Sequence, residues 1–261
     1  MPLAELREAD APPDIAALYD RLRAASGVPL VNLIHRHLAT LDGVLPWLWQ
    51  AIRPPLEDGS LAGARSRLAA AIPLPPLAPV PVEHGAAIAA LVETYNRGNL
   101  TNLILLTAIR RALAGDPPHP APPPPRLAAE AMLPKPPPLP RLDALPPATA
   151  ALVTGLAARH GGGVVPSLYL HLAHWPGFLA TLPVLAAPLL DPAAIQAARA
   201  TTLRLAEAEA DAIRPLLAIP GPLPDPRALA PIEAFSRATI PDMVPIGLGL
   251  RRLLASGAPP G

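Results

Sequence analysis

Tyr95-Asn96-Arg97-Gly98-Asn99-Leu100-Thr101-Asn102, running straight into Leu103-Ile104-Leu105-Leu106, decides how the rest of the chain is read. It is a polar, glycine-broken stretch between two strongly apolar runs, Ala86 to Val92 and Leu100 to Leu113, each with the composition of a buried helix. Gly98 reads as a helix stop and Asn99 as the N-cap of the next helix. The competing reading is a polar site in an apolar wall. Asn96, Asn99 and Asn102 recur at three-residue spacing, roughly on one helical face. Buried unpaired, such carboxamides would cost about 1–3 kcal/mol each, so they must bond to backbone, water or a ligand.

Composition bounds the classes open to the chain. Its 261 residues allow one large domain or two small ones, and 51% hydrophobic against 16% charged residues rules out disorder throughout. A net charge of +1 argues against a nucleic-acid partner. Cysteine is absent, which removes disulfides, thiolate metal sites and a cysteine nucleophile. Lys135 is the only lysine. Met1 to Asp20 carries no charged-then-apolar signal pattern, and no charge-free run reaches the ~18–20 residues that span a bilayer. A soluble, cytoplasmic protein with no membrane partner is expected.

Helical spacing dominates the chain. Asp14 to Ala25 is a helix pattern with Asp14 as cap, followed by helices over Leu30 to Thr40, Gly43 to Arg53 (ended by Pro54-Pro55) and Leu61 to Ile72. Residues 116–147 are proline-dense and predict an extended, polyproline-like linker, with room for one helical turn at Leu127 to Met132. Beyond it, helices are expected at Thr149 to His160, ended by Gly161-Gly162-Gly163, then at Ser167 to His174, Gly177 to Leu190 and Ala193 to Leu217, with further ones around Ile232 and Ile246. Strand alternation is almost absent, so the fold class is all-α.

The pattern after the linker restarts the one before it. His37-Leu-Ala-Thr-Leu-Asp-Gly-Val-Leu45 aligns with His171-Leu-Ala-His-Trp-Pro-Gly-Phe-Leu179, and Ile109-Arg110-Arg111-Ala112-Leu113 with Leu250-Arg251-Arg252-Leu253-Leu254. Two segments in the same order indicate an internal repeat. The expectation is two tandem helical repeats, residues 1–115 and 148–261, forming a pseudo-dimer with any site between them.

These residues carry a resemblance to a known family. The chain resembles the DehI-type (group I) α-haloacid dehalogenases, the halocarboxylic acid dehydrogenase family. The segments concerned are Val28-Pro29, Leu38-Ala39-Thr40 with Gly43 and Leu45-Pro46, Tyr95-Asn96-x-Gly98-Asn99 ahead of Leu105-Leu106-Thr107-Ala108, and Leu172-Ala173-x-Trp175-Pro176. The resemblance implies an all-helical pair of repeats and hydrolytic displacement of halide from carbon 2 of a short acid. An aspartate deprotonates the attacking water and an asparagine holds it. The asparagine falls on Asn99 and the serine preceding the aspartate on Ser167, but the aspartate's own position is Leu168. Gly161 to His174 contains no Asp or Glu to replace it. Leu30 and Leu33 stand where aromatic wall residues are expected and Asn102 where a tyrosine is expected. Ile240 and Met243, in the second-half counterpart of the Asn99 turn, complete the implied substrate-binding set.

A missing carboxylate leaves two substitute bases to weigh. His171, one helical turn beyond Leu168, titrates near working pH. Asp242 follows Ile240-Pro241 and faces either the same interface or, as an N-cap or surface carboxylate, nothing. His171 and His174 share a helix face, but two histidines fall short of the three protein ligands of a catalytic zinc site, so no metal and no cofactor is expected. The readings open at this point are a dehalogenase-like hydrolase with an altered base, a non-catalytic binder of a small carboxylic acid or apolar ligand, and a plain helical scaffold. A homodimer is compatible with each.

Overall fold

In the computed structural model, which describes residues 3–161 and 164–255, the described chain is helical and contains no strand. The first helix, α1 (Pro13–Ser26), starts on a proline at its first position and stops at Gly27, whose left-handed φ of 65° suits glycine. Asp14 lies inside the first turn and not at the cap, which Pro12 occupies; its carboxylate still complements the helix N-terminus. Next come α2 (Leu33–Leu38), shorter than its apolar run, α3 (Val44–Glu57) and α4 (Ser60–Ala71). Pro54 and Pro55 do not end α3, which continues through both. Pro55 cannot supply the N–H that Ala51 O would accept, and the backbone N–H of Ala218 takes that carbonyl at 3.0 Å.

The stretch around Gly98 is not a break. One 29-residue helix, α5 (Gly85–Leu113), runs through it. Glycine inside a helix costs about 0.5–1 kcal/mol against alanine, but here it makes room. A Cβ on Gly98 would stand 3.0 Å from the Asn32 carboxamide. The stronger reason is burial, because α5 serves two cores. Leu100 to Ile109 share one core with α1, α3, α4 and parts of the last three helices of the chain, whereas Ile88 to Tyr95 share a second with the helices between residues 147 and 190 and the other face of the last helix. A helix apolar on nearly all sides is stable only when covered on all sides.

The second half contains α6 (Pro147–Ala158), α7 (Ser167–Leu172), α8 (Pro176–Leu185), α9 (Ala187–Leu190) and α10 (Pro192–Ile213). The expected helix over Gly177 to Leu190 is split at Ala186, and Pro215 converts the end of the α10 run into a 3₁₀ turn. The helix before the glycine triplet ends at Ala158; Gly162 and Gly163 lie outside the described residues. Finally α11 (Leu229–Ala234) leads through a π-helical turn, Phe235–Thr239, into α12 (Ile240–Leu254). Helix α12 packs along α5, and Asn96 Nδ2 donates to Gly247 O across that contact at 3.1 Å.

The proline-dense segment is extended, with no helical turn at Leu127 to Met132. It is strapped to the body by the few donors that proline leaves it. Leu127 N–H donates to Gly59 O at 3.2 Å and Leu133 N–H to Gly27 O at 3.1 Å. Arg97 donates to Ala131 O at 2.8 Å, and Arg65 pairs with Glu130. On α4, a Cβ at Gly63 would lie 1.8 Å from Pro125 O, a backbone atom that cannot swing aside. Gly63→Ala is therefore expected to destabilise the protein by about 1–3 kcal/mol. Gly155→Ala, where a Cβ meets nothing within 4 Å, should be neutral or mildly stabilising. Thermal melts of the two variants test this, and equal midpoints would refute the close docking.

Candidate functional site

A cavity of about 500 Å³ opens between α2, α5, α7 and the start of α12, roofed by Lys135 to Leu139 of the proline segment. Asn99, Ser167, Leu168, His171, Leu30, Leu33, Ile240 and Met243 all line it. Asn99 comes from mid-α5 and is half-buried, while Leu168 comes from the first turn of α7 and is 1% exposed. The π turn brings Phe235 and Thr239 to the same wall. Such insertions often mark sites where a helix must re-aim its side chains.

The three asparagines do not share a face. Steps of three residues turn a helix by about −60° each, so Asn96 and Asn102 diverge by about 120°. Asn96 turns to α12, Asn99 to the cavity, and Asn102 to a separate void of about 20 Å³ beside His35. Asn102 is thus not part of the cavity wall.

Asp242 is also elsewhere. It is 4% exposed in the first turn of α12 and does not line the cavity. Arg199 donates to it from Nε at 2.5 Å and from Nη2 at 2.6 Å. His160 Nδ1 stands 3.3 Å from its Oδ2, and His160 Nε2 lies 2.9 Å from Tyr169 Oη. Neither an exposed cap nor a free base, Asp242 is the buried centre of an ion-pair network, because a carboxylate in this apolar setting requires charged partners.

Two polar residues at the cavity are tightly coupled. Tyr95 Oη and His171 Nδ1 are 2.6 Å apart, and His171 Nε2 is 2.9 Å from Pro137 O. A carbonyl only accepts, so Nε2 carries the proton and Nδ1 accepts from the phenol. Burial pulls the His171 pKa from its ordinary value down to about 4, with the Pro137 carbonyl opposing the shift and the His174 and Arg36 charges adding to it. Burial likewise raises the Tyr95 phenol, against the charge of Arg36 and the Ser167 hydroxyl. His171 is thus neutral at physiological pH with its free lone pair already engaged.

The cavity also has charged residues that sequence reasoning assigned no role. Arg36 donates Nε to Glu5 at 2.6 Å and Nη1 to Val31 O, so its guanidinium is largely committed. Glu8 accepts from Val31 N–H at 2.9 Å and pairs with Arg23. Lys135 is exposed on the roof. Two cations against one carboxylate make the lining net positive. Only the uniqueness of Lys135 was visible in advance.

The buried histidines set an acid limit. Burial together with the Arg36 charge holds His35 at about 4, as burial does for His171, against an ordinary 6.5. Between those values the unfolded chain binds more protons than the folded one. Their contribution to stability is complete above about pH 6.5 and is lost as pH falls towards 4. Each contributes a slope of about 1.4 kcal/mol per pH unit in that window. Denaturant titrations at pH 7 and pH 5 should show the loss, and His35→Gln should remove about half of it. Identical midpoints at both pH values would contradict the assignment.

No protein-family model and no curated protein sequence matches the chain. Solved structures do. A D-2-haloacid dehalogenase mutant in complex with D-2-CPA superposes with a TM-score of 0.78 at 17% identity, over 96% of this chain and 94% of that one. The fold is haloacid dehalogenase-like. A second D-2-haloacid dehalogenase mutant gives a TM-score of 0.77 at 18% identity, and a D-2-haloacid dehalogenase with L-LA gives 0.78 at 18%, each with the same coverages. Haloacid dehalogenase-like architecture therefore accounts for nearly the whole chain. Among the described residues no helix is long and apolar enough to cross a membrane.

Proposed function

We propose that this chain is a divergent DehI-type protein that holds a carboxylic acid in the 500 Å³ cavity and hydrolyses 2-haloacids little or not at all. The observation that carries the reading is Leu168. A buried leucine stands on the cavity wall with Asn99, at the position where the resemblance calls for the water-activating carboxylate. A positioned general base contributes typically 10²–10⁴-fold, and a leucine side chain contributes none of it. The net-positive lining, Asn99 and Ser167 support binding of an anionic acid. The equivalence of residues 1–115 and 148–261 as repeats belongs to the same reading. It is supported by α1 packing on α3 as α6 does on α8, and α4 on α5 as α10 on α12.

Calorimetric titration with 2-chloropropionate tests the binding. Affinity that falls several-fold in Asn99→Ala is expected, and no affinity for this acid or for any longer unbranched carboxylate would sink the proposal. The 2.6 Å Tyr95–His171 contact favours one other reading, in which His171 acts as base through the phenol. That enzyme would gain rate as pH rises through about 4, where Nδ1 loses its proton, and stay flat above it. It would be silenced in both Tyr95→Phe and His171→Gln.

A further inference from the structure

We infer that the acid this cavity takes is a medium-chain carboxylic acid, with an apolar tail of about six to ten carbons, rather than a three-carbon acid. The inference rests on the acid-binding reading above and specifies its ligand class.

Size is the first ground. A cavity of about 500 Å³ corresponds to roughly sixteen waters at ~30 Å³ each. A three-carbon 2-haloacid has about six non-hydrogen atoms of comparable size and would fill only a third of that space. Its apolar atoms would touch one wall and lose dispersion contacts on the other. The lining itself is the second ground. Leu30, Leu33, Leu139, Leu168, Ile240 and Met243 arrive from four separate segments and present a wall of aliphatic side chains. Such a wall fits a flexible hydrocarbon chain. Charge distribution is the third. Arg36 is tied to Glu5 and Val31 O, whereas Lys135 is exposed at the roof. The carboxylate therefore belongs at the Lys135 end, with the tail running inward past Leu33 to Leu168 and Met243. Leu168 then has a use of its own: where a carboxylate would repel the tail, a leucine packs against it.

The test is a calorimetric series of propionate, hexanoate, octanoate and decanoate, each below its micellar range, with 1-octanol alongside. Affinity is expected to rise about fourfold per methylene, the fold-change equivalent of the ~0.8 kcal/mol of a buried CH₂, and to level off once the cavity is full. Leu33→Trp, which fills the cavity, should weaken octanoate at least tenfold and leave propionate within twofold. Leu30→Trp serves the same purpose if circular dichroism shows the first variant misfolded. Lys135→Gln should weaken octanoate about threefold and octanol not at all. Equal affinities along the series, or tight octanoate binding unchanged in a folded tryptophan variant, overturn the chain-length inference and leave the acid reading standing. Octanol binding as tightly as octanoate overturns the acid reading itself.

Discussion

Leu168→Asp is expected to release chloride from 2-chloropropionate at least tenfold faster than the unaltered protein, whose release should be close to background. Leu168 is 1% exposed and faces a largely aliphatic cavity that also holds Asn99. A carboxyl group introduced there is desolvated, which raises its pKa towards the working range of a general base. The full 10²–10⁴-fold of a positioned base is an upper bound, since Leu30 and Leu33 leave a wider wall than a small acid needs. Replacing a buried leucine costs stability in its own right, about 2–5 kcal/mol for the lost packing. Leu168→Asn is therefore the proper comparison: it matches aspartate in shape and burial cost and supplies no base. Release by Leu168→Asp above Leu168→Asn supports the assignment of this position. Robust release by the unaltered protein would overturn it and turn attention to Tyr95 and His171.

Arg199→Met should lower stability by about 3 kcal/mol, the lower end of the range for removing one partner of a buried ion pair. Asp242, 4% exposed in the first turn of α12, loses both guanidinium bonds. The lower end applies because the Arg199 side chain is itself 29% exposed. For a chain of this size the loss corresponds to a fall of roughly 6–12 °C in the melting midpoint. Adding Asp242→Asn should recover much of it, because the uncompensated charge is gone. A midpoint for Arg199→Met within measurement error of the parent would refute the buried pair. Ligand affinity should be unchanged throughout, since neither residue lines the cavity.

Helical periodicity without strand alternation determined the all-α class, because burying one face of each segment leaves a period in the sequence that needs no knowledge of neighbours. The resemblance of a few short segments pointed to a minority of the cavity wall. Asn99, Ser167, Leu168, Ile240 and Met243, with Leu30 and Leu33, were named from the chain alone and line one cavity.

Local signals failed where long-range packing outweighed them. Gly98 reads as a stop, yet α5 runs through it because two cores cover it and Asn32 needs the space a side chain would take. Pro54 and Pro55 read as terminators, yet the orphaned Ala51 carbonyl is satisfied by Ala218, over 160 residues away. Asn102 and Asp242 belonged to the candidate site by spacing and order. Helix rotation sends the first to another void, and Arg199 from α10 captures the second. Glu8, Arg36 and the 135–139 roof joined the cavity with no signature in advance, since each gets there by docking between segments distant in sequence. What a residue does with its own neighbours in the chain could be read from the chain. Which buried charges are paired, and which carbonyl a proline leaves free, depended on contacts that exist only once the helices have packed.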